Sequence, residues 1–185
     1  MSTKVELLEH NPDWAAQAAR EAERFAAALG GDPRLLAVHH IGSTSIPGIL
    51  AKGIIDLMPE VSSVEWLDEM QARLEAAGYQ YWGEYGLKGR RFCPRNGPDG
   101  WRLANVHCYA SGDEGLIRHL AFRDYLRAFP EKARDYERMK KDCAASHPED
   151  AYAYTDCKAD WITQAQAEAL AWRQAQAVPP HQPPL

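Results

Sequence analysis

The stretch from His39 to Met58, HHIGSTSIPGILAKGIIDLM, constrains the fold more tightly than any other part of the chain. Two apolar runs flank a glycine, three consecutive hydroxyl residues and a Pro-Gly, so the backbone must run in, bend and run out again within a short span. LLAVHHIG reads as a strand that ends at Gly42, and GIIDLMPEV as a second strand whose far end is limited by Pro59, with a short helix or turn between them. Asp56 interrupts the second run among Ile54, Ile55, Leu57 and Met58. An ionised carboxylate in such surroundings is costly unless a cation or hydrogen-bond donors compensate it.

Two phosphate- and nucleophile-bearing patterns are not met. In the P-loop pattern the glycines are closer than Gly42 and Gly48, and no lysine follows Gly48; G-x-S-x-G is absent as well. What remains is a strand turning into a helix at Gly42, Ser43, Thr44 and Ser45, where backbone N–H and side-chain O–H donors converge as a phosphate requires. The simpler alternative is that one of these hydroxyls only caps the following helix. Lys52 is the nearest cation to Asp56, but in an extended strand their Cα atoms would lie roughly 13 Å apart. The two residues then flank a ligand, with Lys52 neutralising phosphate oxygens and Asp56 holding a divalent cation such as Mg2+. Alternatively, Asp56 bonds loop amides at a strand end.

In WRLANVHCYA, residues Ala104, Val106 and Cys108 share one face, which leaves Asn105, His107 and Tyr109 on the other. His107 becomes a ligand or proton carrier if this strand neighbours that of Asp56, and otherwise a merely hydrogen-bonded histidine. Further cations, Arg90 and Arg91 in GRRFC and Arg118, Arg123 and Arg127 in IRHLAFRDYLRAF, lie at element edges where a solvated face is the usual meaning. Lys158 falls in the first turn of an expected helix, where a cation opposes the macrodipole unless an anion sits nearby.

The remaining expectations set the frame. A helix is expected from Asp13 to Leu29, another from about Val64 to Ala77, a strand at YQYWGEY, strands at GRRFC and WRLANVHCYA, and helices over Glu114 to Phe129, Glu131 to Ala145 and Asp156 to about Gln176. Strand and helix pairs come first and helices gather at the end, which indicates an α/β or α+β fold with a mixed sheet of about five strands. Residues 1–176 read as one domain and 177–185 as a disordered Pro-rich tail. The formal charge of -5 gives no global electrostatic reason to bind nucleic acid or an anionic membrane. No run approaches a membrane span and the amino terminus lacks a signal peptide's apolar centre, so the expected compartment is the cytoplasm. Cys93, Cys108, Cys143 and Cys157 are scattered without zinc-ligand spacing and read as four reduced thiols.

The segments HIGSTSIPGILAKGIID, GRRF, VHCY, RHLAFRDYLRAFP and YTDCKADWI together resemble the GrpB family of small bacterial proteins, of nucleotidyltransferase-like fold. The resemblance covers Asn11 to about Ile162 and implies a glycine-serine turn facing a strand carboxylate. It marks His40, Gly42, Ser43, Thr44, Ser45, Lys52, Asp56, Arg91, His107, Arg118, Arg123, Asp124 and Lys158 as matching the family's recurrent polar residues. It also implies relatives fused to a dephospho-coenzyme A kinase domain. Nucleotidyltransferases usually carry two acidic residues one apart on this strand, and here Met58 occupies the second position. Three functions are therefore expected to compete. The first is a transferase using a nucleoside triphosphate and a small acceptor, with Asp56 and His107 catalytic and Gly42, Ser43, Thr44, Ser45, Lys52, Arg91, Arg118, Arg123 and Lys158 at the phosphates. The others are a non-catalytic nucleotide or small-anion binder, and an enzyme acting on a small anionic or amino-acid-like substrate without nucleotide.

Overall fold

The period-2 pattern of LANVHCY places an apolar row on one side and a polar row on the other, and this strand becomes the centre of the sheet. In the computed structural model, which describes residues 4–177, β5 (Arg102–Ala110) pairs in parallel with β2 (Ile55–Val61), and β2 pairs antiparallel with β1 (Leu35–Ile41). Two short strands, β3 (Arg91–Phe92) and β4 (Arg95–Asn96), run antiparallel to β5. The mixed five-stranded sheet has the order β1-β2-β5-β3, with β4 also paired to β5.

One sheet face buries Ile55, Leu57, Val61, Ala104, Val106 and Cys108 against α1 (Trp14–Ala28), α2 (Val64–Glu69) and α3 (Gln71–Ala76), which contribute Trp14, Phe25, Trp66, Leu67 and Leu74. The opposite face packs Ile41, Met58 and Tyr109 beneath Leu116 and Leu120 of α4 (Glu114–Ala128). Behind α4 lie α5 (Pro130–Ser146), α6 (Ala151–Cys157) and α7 (Ala159–Ala177). Ile46 and Ile49, just past the hydroxyl bend, insert into the core that α4, α5 and α7 share through Ala121, Leu126, Ala133, Tyr136 and Ala169. The bend is thereby clamped between the sheet and the helical layer.

Several expectations are corrected. Pro59 lies inside β2 and does not limit it; pairing with β5 covers Ile55 to Leu57 and resumes at Glu60, so the missing proline N–H falls in the gap. The single helix expected after Val64 is two short helices meeting at Met70. YQYWGEY forms no strand, because after the bridge from Tyr79 to Arg95 the chain turns at Gly83 and Gly86, both at positive φ. The helix expected over Asp156 to Gln176 is broken at Lys158, which caps the end of α6. The four cysteines are not all thiols: Cys143 on α5 and Cys157 at the end of α6 are disulfide-bonded, while Cys93 and Cys108 are free and buried. Sequence spacing conceals this pair because only the packing of α6 on α5 brings their Cα atoms to 5.8 Å. From Val178 onward, the tail expected over 177–185 lies outside the described residues. Among the described residues no helix is long and apolar enough to cross a membrane.

Candidate functional site

Register fixes which side chains meet. Asp56, second in β2, lies opposite Ile41 of β1 and Asn105 of β5, so its carboxylate and the side chains of Asn105 and His107 share one face. Asn105 Nδ2 donates to Asp56 Oδ1 at 2.9 Å, and His107 Nε2 stands 3.9 Å from the same oxygen. The carboxylate also abuts Gly42, where a Cβ would lie 2.8 Å from Asp56 Cβ and 2.9 Å from its Cγ, and closer still to Oδ2. Gly42 has φ 69 and ψ -175, backbone that glycine alone adopts readily. The strand acid and the bend are thus in direct contact, and 26% of the Asp56 side-chain surface stays open to solvent.

The tautomer of the neutral His107 ring follows from its neighbours. Arg90 Nη1 lies 3.4 Å from His107 Nδ1, and a guanidinium can only donate, so Nδ1 accepts and the ring proton resides on Nε2, directed at Asp56. Burial pushes the Asp56 carboxyl upward, but His107, the Asn105 hydrogen bond and the charge of Lys52 outweigh it and hold the group below its ordinary value. Asp56 is ionised at neutral pH.

Cations collect around that single acid. Lys52, Arg102 and Lys158 all lie within its electrostatic reach, as do His40 and His119. Lys52 Nζ and Lys158 Nζ lie over the same Tyr154 ring, at 5.4 and 4.1 Å from its centroid. Burial lowers Lys158 to about 8, with the charge of Lys52 adding to the effect. Three cationic side chains therefore share one carboxylate, on a chain whose formal charge is -5. The local sign opposes the global one.

The hydroxyl bend serves mainly its own shape. Ser45 Oγ donates to the Gly42 carbonyl at 2.7 Å, and Thr44 Oγ1 is paired with His40 Nε2 at 2.9 Å; both residues are buried. Ser43 Oγ donates to Tyr136 Oη at 3.3 Å. Arg127 Nε donates to the Ser45 carbonyl and Arg123 Nη1 to the His40 carbonyl, which ties α4 to the bend. Arg118 lies beside Tyr109 and His119 on α4. Arg91 is placed elsewhere: it opposes Cys108 on the other sheet face and makes a bidentate ion pair with Asp68.

Sequence reasoning passed over several residues of this cluster. Arg90, not Arg91, reaches His107; Arg102 donates to Asn105 Oδ1 at 2.9 Å and so orients the amide that holds Asp56. Lys140 is buried, held to about 7 by burial, and donates to the Leu50 carbonyl. His119 donates from Nδ1 to the Gly115 carbonyl at 2.7 Å and leans toward His107 with ring centroids 6.1 Å apart. For Arg90 the signal was present, since strand parity puts neighbours of Arg91 on the His107 side.

Residues 4–168 match the family model for GrpB protein, and the chain belongs to that family. It is 42% identical over 170 residues to the UPF0157 protein YqkA of Bacillus subtilis, covering 92% of this chain and 48% of that protein. This chain thus spans about half the length of that relative. A dephospho-CoA kinase of Mycolicibacterium paratuberculosis is 31% identical over 91% of this chain and 46% of its own length. The crystal structure of the conserved protein GrpB from Enterococcus faecalis superimposes with a TM-score of 0.84 at 38% identity, over 91% of this chain and 99% of that one. The Cid1 poly(U) polymerase bound to MgATP aligns with a TM-score of 0.50 at 12% identity, over 74% of this chain and 44% of its own, a likeness of fold. The fold is nucleotidyltransferase-like.

Proposed function

We propose that the protein is a nucleotide-dependent transferase that moves a nucleotidyl or phosphoryl group to a small acceptor. The observation that carries this reading is the contact of a strand carboxylate with the Gly42 bend, inside a cluster of cations, on a nucleotidyltransferase-like fold. Lys52 and Lys158 hold phosphate oxygens, and both ammonium groups are held against the one Tyr154 ring. Arg102 orients Asn105, which orients Asp56, and Arg90 keeps the His107 proton on the nitrogen facing the acid. Such positioning and charge complementarity are the main catalytic means open to a protein in phosphoryl chemistry.

The donor set fits one Mg2+ and not two. Asp56 offers a single carboxylate, Met58 is buried beneath Leu120 where a second would stand, and no group of three His, Cys, Asp or Glu side chains among the described residues is arranged for a metal. A Mg2+ entering with the triphosphate would be held by Asp56 and the phosphate oxygens, as Mg2+ commonly is, and would supply charge neutralisation. The test is pyrophosphate or phosphate release from ATP, GTP, CTP and UTP with magnesium and a small-molecule extract as acceptor source. Release that Asp56→Asn lowers at least about a hundredfold supports transfer; no calorimetric heat and no thermal shift with any of the four removes the nucleotide. The buried Met58 favours a second reading, a nucleotide or small-anion binder without turnover, whose signature is tight binding with no release.

A further inference from the structure

Beside the cations lies an aromatic wall for which the phosphate chemistry has no use. Tyr85 is the single non-glycine residue with positive φ among those described, at 43, and it is 51% exposed. The conformation is maintained by Arg90, whose Nη2 donates to the Tyr85 carbonyl at 2.6 Å, and by stacking on Phe92 at 5.3 Å and 15°. Phe92 in turn contacts His107 at 4.9 Å between centroids. Trp82 packs against Tyr85 and Phe92 and lies under the Arg102 guanidinium, 5.3 Å from its ring centroid.

A strained, exposed tyrosine held by an arginine that also contacts His107 is an expensive feature for a surface loop. The exposed Tyr85 and the adjoining Trp82 present aromatic surface beside the Arg102 guanidinium, and Arg102 links that place through Asn105 to Asp56. From this arrangement we infer that Tyr85 and Trp82, with Arg102 beside them, form a stacking subsite for the planar aromatic base of the nucleotide whose phosphates meet Lys52 and Lys158. The inference rests on the transferase reading for its occupant. Stacking is tolerant of base identity, so the subsite accepts purines and pyrimidines with modest preference.

Calorimetry with the full chain decides it, comparing each Mg-nucleotide with inorganic tripolyphosphate for the wild type, Trp82→Leu and Tyr85→Gly, the last chosen because glycine accepts the positive φ. The nucleotides are expected to bind roughly 10- to 100-fold more tightly than tripolyphosphate in the wild type, and each variant to lose about tenfold for nucleotides while tripolyphosphate is unchanged. Equal binding of nucleotide and tripolyphosphate by the wild type, or variants that bind nucleotide normally, would overturn the subsite. If tripolyphosphate does not bind at all, the phosphate reading falls, and titration with the free nucleosides, followed by Trp82 fluorescence, judges the aromatic wall alone. Quenching that Trp82→Leu abolishes sustains it, and absence of quenching rejects it.

Discussion

Replacing Gly42 with alanine tests the contact between bend and carboxylate. The first cost is conformational, since φ 69 with ψ -175 is a region closed to L side chains, worth about 1–3 kcal/mol. The second is steric: the new Cβ would lie 2.8 Å from Asp56 Cβ and 2.9 Å from Cγ, so the carboxylate must leave its place and give up the Asn105 bond. A hydrogen bond to a charged group contributes about 1.5–3 kcal/mol. A less flexible unfolded chain offsets about 0.4–1 kcal/mol, leaving a net loss of about 2–5 kcal/mol. Gly48→Ala, at φ 76 with nothing within 4 Å of the added atom, has only a backbone cost and should lose about 1–2 kcal/mol. Urea denaturation of Gly42→Ala, Asp56→Ala and the double variant separates the two terms. With Asp56→Ala the close approach to the residue-56 Cβ remains, but the contacts with Cγ and Oδ2 and the Asn105 bond are already gone, so the cycle should show a coupling of about 1.5–3 kcal/mol from that bond. Additivity within about 0.5 kcal/mol would mean that the acid does not rest on the bend, and the geometry argued above would be wrong.

Acid should destabilise the protein through its buried imidazoles. His40 and His119 are held at about 4 by burial, against about 6.5 in an unfolded chain. Between those values the unfolded state binds protons that the folded state excludes, so stability is full above about pH 6.5 and falls toward pH 4, by at most about 3 kcal/mol per histidine. His119→Gln should flatten the pH dependence of the urea midpoint, and an unaltered slope would contradict the assignment. Reduction of Cys143–Cys157, which are 14 positions apart, should lower stability by about 3 kcal/mol and raise the thiol count of the denatured chain from two to four; no change in melting temperature with reductant would reject the link. Glu21 is buried, receives Tyr79 Oη at 2.8 Å and is paired with Arg95, so Glu21→Ala should cost about 3–5 kcal/mol by leaving that guanidinium uncompensated. A loss below about 1 kcal/mol in chemical denaturation would show the pair to be solvent-screened.

The local pattern carried the architecture further than the site. Strand parity in WRLANVHCYA correctly separated Ala104, Val106 and Cys108 from Asn105 and His107, because a sheet with two covered faces imposes period 2 on its central strand. The apolar run around Asp56 likewise showed an acid needing compensation. What the sequence concealed depends on chain segments far apart in number: the Cys143–Cys157 bond, the shared Tyr154 platform of Lys52 and Lys158, and the reach of Arg102 to Asn105. Thr44 and Ser45 illustrate the opposite difficulty. Hydroxyls at a bend look the same in sequence whether they face a ligand or, as here, close the bend on His40 and the Gly42 carbonyl. Arg91 and Arg90 differ by one position, and strand alternation sends them to opposite faces, one to Asp68 and one to His107.

The central claim is that a locally positive cluster on an acidic chain is made for a polyphosphate, and calorimetric titration of inorganic tripolyphosphate into the wild type and a Lys52→Ala/Lys158→Ala double variant tests it most directly. Each lysine should contribute at least about tenfold, near 1.4 kcal/mol, a modest share of the ~4 kcal/mol that a charge pair at 4 Å attains near a protein surface. Tight binding by the wild type, weakened about a hundredfold in the double variant and by added salt, is the expected result. Absence of binding by the wild type, or equal affinity of the two proteins, would contradict it.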